Sequence, residues 1–187
     1  IKILNQIAEE DIGPIANMNE LPLAKLLDKS FERANNMLRY IILANGMSIP
    51  SMKTLQDGLK EMLDPETDKS VIAWKDYCIR KYKNHLYFLS NSDLEPNKVD
   101  VRIPWEIGKT VNLGENIGTI EATFIHGDGL SIEKCKNKLT ISYRQGGELI
   151  KPIGHRINKS LKNLFQENQI LPWMRDKIPL IYYQDEL

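Results

Sequence analysis

The densest run of anion-holding groups in this chain is Arg144, Lys151, His155, Arg156, Lys159 and Lys162, with no acid between Glu148 and Glu167. Gly146 and Gly147 let the backbone turn back ahead of the run. Cations on such a loop suit phosphate, so the first chemistry to test is nucleotide binding. The stretch Gly154 to Ser160 reads GHRINKS and ends in Lys-Ser before a helical pattern. A phosphate-cradling P-loop needs glycine just before the lysine and again five residues earlier, where this chain has Asn158 and Ile153. That motif fails. A weaker expectation survives: Asn158 caps a helix over 158–168, and its free N–H groups, flanked by Arg156 and Lys159, meet a single phosphate.

A second basic group, Arg80, Lys81, Tyr82 and Lys83, accompanies Arg33 and Arg39 on a helical pattern. Strand alternation puts Arg80 and Tyr82 on one face and Lys81 on the other, so all of them cannot touch one ligand. A solvated charge cluster and a ligand contact explain them equally. Catalytic signals are poor. His85, His126 and His155 are scattered, no carboxylates are paired by spacing, and no nucleophile stands beside a histidine. His126-Gly127-Asp128-Gly129 reads as a turn. Cys78 and Cys135 lie far apart without a second pair, so they read as reduced, buried thiols rather than as a zinc or disulfide framework.

The elements that must position these groups follow from periodicity. Apolar residues at Ile1, Leu4, Ile7 and Ala8 suggest the end of a longer helix, stopped at Gly13-Pro14. From Ser30, the residues Phe31, Ala34, Leu38, Ile41 and Ile42 predict a helix ending at Asn45-Gly46. Ser51 caps a second, with Leu55, Leu59, Met62 and Leu63 inward, ended by Asp64-Pro65. Residues 71–76, 77–82 and 85–89 are β-prone, and Lys83-Asn84 suits a hairpin turn. The polar segment 91–98, with Pro96, reads as a linker. Strands are expected over 101–107, 117–125, 138–143 and 179–183, the lysine-bearing helix over 158–168, and a turn of helix over 172–177. Trp173 reads as a core plug among Leu171, Ile178 and Pro179.

These elements predict an α+β chain: the end of an interdomain helix and linker (1–20), a small helical domain closed by a β-hairpin (21–90), the linker (91–98), and a mixed α/β C-terminal domain with a largely antiparallel sheet (99–187). At 187 residues and 42% hydrophobic content it can bury ordinary cores. No run is long and apolar enough for a membrane helix, and no leader opens the chain, so the expectation is cytoplasmic. The net charge is zero, but it is unevenly spread: residues 131–177 carry 10 basic and 4 acidic side chains, and 91–130 carry 3 and 7. A local patch, not the net value, sets the field that a phosphate feels.

The stretch from Tyr143 to Leu187 resembles the C-terminal domain of tRNA(Ile)-lysidine synthetases. The matching residues are Arg144, then Pro152-Ile153-Gly154-His155-Arg156, then Ser160-Leu161-Lys162-Asn163-Leu164, then Leu171-Pro172-Trp173-Met174-Arg175-Asp176; Leu171 and Asn163 depart from the pattern. Residues 26–89 are similar to the family's middle, substrate-binding domain through Arg33, Arg39, the Gly46 to Pro50 break, Arg80-Lys81-Tyr82 and Leu86-Tyr87. The family's Ser-Gly-Gly-x-Asp-Ser loop, which holds the pyrophosphate of ATP, does not occur in this sequence.

The resemblance implies a parent ligase that activates the wobble cytidine of an isoleucine tRNA with ATP and joins lysine to it. ATP, Mg and L-lysine would then belong to a catalytic domain outside this chain, which by itself would be inactive and need no cofactor. Its partner would be tRNA(Ile), with Arg33, Arg39, Arg80 and Lys81 on the anticodon stem. Arg144, Lys151, Arg156, Lys159 and Lys162 would hold the acceptor end, and Arg175 joins the set of tRNA contacts. The competing expectation is a protein-interaction or homodimerisation module that binds no RNA.

Overall fold

The computed structural model describes residues 2–67, 69–95, 102–114, 117–127, 129–135, 139–154 and 156–187. His155 and the linker residues from Pro96 onward lie outside this set. Contacts divide the chain into two compact units, Ile1–Leu94 and Glu95–Leu187.

In the first unit, α1 (Lys2–Ile12) packs on α3 (Phe31–Ala44), followed by α4 (Met52–Leu63). The stripe Ala34, Met37, Leu38, Ile41 and Ile42 of α3 is completely buried. Burying each large apolar side chain contributes about 1.5–3 kcal/mol, which is why this period dictates the helix. Ser30 and Ser51 cap α3 and α4, accepting from the N–H of Arg33 and Thr54. Gly46, at φ 68°, lets the chain leave α3 in the left-handed region. Helix α2 (Ala24–Leu27) and strand β1 (Glu20–Pro22) fill the stretch whose sequence signal Pro22 obscures.

Strands β2 (Val71–Trp74), β3 (Tyr77–Tyr82) and β4 (His85–Ser90) form antiparallel hairpins, and β1 adds to the edge, giving the order β1-β4-β3-β2. Pro22 sits on this edge, where a missing N–H costs no ladder bond. One face of the sheet joins the helical core through Leu21, Ile72, Ile79, Leu86 and Phe88. Gly58 of α4 makes the approach possible: a Cβ there would lie 2.3 Å from Cγ1 of Ile72. The segment expected to be a linker instead begins with a short helix, α5 (Asn91–Leu94), where Asp93 accepts from the Ser90 N–H and hydroxyl.

The second unit carries short strands β5 (Ile103–Trp105), β6 (Val111–Asn112) and β7 (Thr119–Ile120), helix α6 (Ile132–Cys135), then β8 (Leu139–Ser142), β9 (Leu149–Ile150), β10 (Lys159–Ser160), α7 (Leu161–Glu167), a 3-10 turn (Pro172–Met174) and β11 (Leu180–Tyr183). The antiparallel sheet β11-β8-β5 lies between two apolar clusters. Alternation along β11 explains this: Ile181 and Tyr183 join Trp105, Leu139 and Ile141, while Leu180 and Tyr182 join Leu161 and Phe165 of α7. The long strand expected over 117–125 pairs only at β7. Both cysteines are buried and free. Among the described residues no helix is long and apolar enough to cross a membrane.

Candidate nucleic-acid interface

The basic loop of the second unit is a hairpin. Lys159 pairs with Ile150 and Ser160 with Leu149, so 151–158 is the loop that joins β9 to β10. This pairing keeps the backbone extended through Ser160 and delays the helix. Ser160, not Asn158, is therefore the cap, accepting from the Asn163 N–H at 3.2 Å. Helix α7 is only seven residues long, so the expected phosphate site at its start loses its physical basis.

The turn before the hairpin is fixed by Glu148, which accepts from the N–H groups of Gln145 and Gly146. Burial raises the Glu148 pKa, but those donors, its own N–H and the Arg144 charge outweigh it, and the net shift is downward. The carboxylate thus stays ionised, 3.7 Å from Nε of Arg144. Arg144 also donates through Nη1 to Asp176 at 3.3 Å. Lys159 donates to both carboxylate oxygens of Glu167, at 3.0 and 3.2 Å. The two acids that bound the basic run in sequence therefore pair with Arg144 and Lys159.

Arg175 is buried, and its Nε donates to the Ile170 carbonyl, tying the 3-10 turn to the exit of α7. It is a structural residue and not an exposed phosphate contact. Its neighbour Asp176 turns to Arg144 instead. Trp173 is half-buried, so it is not the fully buried plug its neighbours suggest. Lys151, Arg156 and Lys162 are left exposed: two on the hairpin loop and one in the first turn of α7. Lys151 also borders a cleft of about 340 Å³ shared with Glu148, Asn158, Asp185 and Glu186, whose acids dilute its field. Arg156 and Lys162 are the cleaner pair. Ile153 and Ile157, beside Arg156, are 101% and 73% exposed, so the loop offers an apolar tip as well as charge.

In the first unit the expected cations also separate. Arg33 grips Asp11 with both ends of its fork, at 2.7 and 2.5 Å, and Lys29 adds a contact at 3.2 Å. The hydrogen bond from Arg33 is the main reason the Asp11 pKa is lowered. This triad ties α1 to α3. Lys81 is 8% exposed and donates to the Asp64 carbonyl at the end of α4, which removes it from any surface role. A cation there suits the negative end of the helix dipole. Arg39 is half-buried on α3, and Arg80 is half-buried on the opposite sheet face from Lys81. The partner acids Asp11, Glu148, Glu167 and Asp176 were not legible as partners, because four of their five ion-paired contacts bridge eight residues or more.

Each unit matches one known domain. Residues 21–87 match the family model for the TilS substrate binding domain, and residues 139–187 match the TilS substrate C-terminal domain. The fold and the basic hairpin thus define a pair of substrate domains. Both units are thus similar to domains of the TilS family. The chain is 34% identical over 186 residues to a tRNA(Ile)-lysidine synthase of Coxiella burnetii, covering 99% of this chain and 41% of that protein. To the tRNA(Ile)-lysidine synthase of Legionella pneumophila strain Lens it is 32% identical over 187 residues, covering 98% and 42%. To that of Methylococcus capsulatus it is 30% identical over 150 residues, covering 78% and 33%. The chain spans about two fifths of the length of the first two relatives.

Proposed function

We propose that this chain is the tRNA-holding part of a tRNA(Ile)-lysidine synthase, positioning an isoleucine tRNA for ligation of lysine to its wobble cytidine. The observation that carries the reading is the exposed set Lys151, Arg156 and Lys162 on the hairpin and α7, within the segment that matches a substrate domain. Phosphate contacts of this kind set register and orientation and carry no base information. The ligation would use ATP, Mg and L-lysine held by a further part of the protein, in the cytoplasm where tRNA is modified. Arg39 and Arg80 remain as contacts of the first unit, and Arg144 and Lys159 shape the hairpin through their acids.

Filter binding of tRNA across a salt series tests this. The chain is expected to bind with a steep salt dependence, and Arg156→Ala with Lys162→Ala is expected to weaken binding and flatten the slope. Unchanged affinity and slope would sink the assignment.

A second reading, association with protein, is favoured by one observation. Phe124, Ile125 and Leu130 are 66%, 62% and 60% exposed around an apolar cleft with Trp105 and Ile107. Sedimentation at rising concentration separates the two readings, since self-association through this patch changes the mass without RNA.

A further inference from the structure

The outer face of the four-stranded sheet carries a group of rings that are not part of the apolar core. Register sets Tyr82 opposite His85 and Arg80 opposite Tyr87, with Glu20 beside Tyr87 and Pro22 beside His85. Because alternate residues share a face, these six side chains lie together, on the side away from Lys81, Ile79, Leu86 and Phe88. All six are half-buried, whereas those four neighbours on the inner face are buried. The His85 and Tyr87 ring centroids are 6.3 Å apart, and Nζ of Lys83 stands 5.9 Å from the Tyr82 centroid.

Polar contacts fix the group from one edge. The Tyr87 hydroxyl donates to Glu20 at 3.2 Å, and Nε2 of His85 is 3.7 Å from the same carboxylate. Burial and the Glu20 charge push the Tyr87 pKa up to about 12, so its ring stays a neutral phenol. Among the described residues, the buried Nε of Arg80 meets no hydrogen-bond acceptor. A buried donor in that condition is rare.

Three aromatic rings and a guanidinium on one antiparallel face are what unpaired bases need. Every base has a π-face, and a sheet presents alternate side chains at a spacing that lets successive bases stack. The inward positions of the same strands are filled by the core, and on the outer face the half-buried group lies beside the buried Cys78 and Leu89.

We propose that Tyr82, His85 and Tyr87, with Arg80, form a stacking platform for unpaired nucleotides of RNA. This deepens the tRNA-holding reading by adding a second mode of contact: the hairpin of the other unit meets backbone phosphate, and the platform meets bases. The two modes differ in salt dependence, because stacking releases few counterions.

The test uses the full chain with a single-stranded RNA hexamer and an RNA duplex of equal length as probes. Wild type is expected to bind the single strand. Tyr82→Leu with His85→Leu is expected to weaken that binding at least fivefold, with little change in salt slope and none in duplex binding. Tyr82→Phe, which keeps the ring, is expected to stay within twofold of wild type. If the double variant keeps its fold by circular dichroism and binds the hexamer like wild type, or if Tyr82→Phe loses as much as Tyr82→Leu, the platform is overturned. Failure of the hairpin reading looks different: Arg156→Ala with Lys162→Ala would leave tRNA affinity intact while the sheet variants still lose the hexamer.

Discussion

Basic residues in this chain divide by what their charge is spent on. Lys81 and Lys25 both serve helix ends, donating to the carbonyls of Asp64 and Ile12. Lys81→Met is expected to cost about 1 kcal/mol in chemical unfolding, the scale of one net hydrogen bond, and to leave the salt slope of tRNA binding unchanged. Arg33 behaves alike through Asp11. The folded Asp11 pKa lies below its ordinary value of 3.8, chiefly through the Arg33 bond. Its stabilising contribution is therefore complete above that value and is lost as pH falls through the folded pKa. Thermal melts should show Asp11→Asn less stable than wild type at pH 7, with the gap closing below about pH 3.8. A gap independent of pH would refute the charge argument.

Among the elements, the contact of α4 with β2 depends on one missing side chain. Alanine is a better helix former than glycine by about 1 kcal/mol, so Gly58→Ala in a free helix would stabilise. Here the added Cβ would meet Ile72 at 2.3 Å, and overpacking of that kind costs about 1–3 kcal/mol. The net expectation is destabilisation, and Gly58→Ala combined with Ile72→Val should recover part of it in urea unfolding. The hairpin of the second unit shows the same dominance of context. Pairing of β9 with β10 moves the helix start from Asn158 to Ser160, so Ser160→Ala should loosen α7 by about 1 kcal/mol while Asn158→Ala does not.

For the whole molecule, the charge asymmetry of the sequence overstates the binding surface. Of the five cations expected on the hairpin and its helix, Arg144 and Lys159 are ion-paired, and Arg175, expected on the turn, is buried. Lys151, Arg156 and Lys162 remain exposed. Each cation withdrawn from a phosphate lowers the salt slope by about 0.7–0.9, so removing Arg156 and Lys162 together should lower it by about 1.5. A fall of three or more would mean that the ion-paired residues also reach the RNA.

By itself the sequence determined the α+β class, helices α3 and α4 with the Ser51 cap of α4, the β3–β4 hairpin and the β8 and β11 strands, because each rests on a local period or a capping side chain. It also carried the motifs Pro152 to Arg156 and Leu171 to Asp176, which give the second unit its resemblance to the TilS family. Only the tertiary structure decided which cations face solvent. Burial of Lys81 and Arg175, the clasp of Lys159 by Glu167, and β1 pairing with β4 all join residues remote in sequence or turned by a neighbouring strand. Charge is written locally, but the free energy of a charge depends on what folds against it.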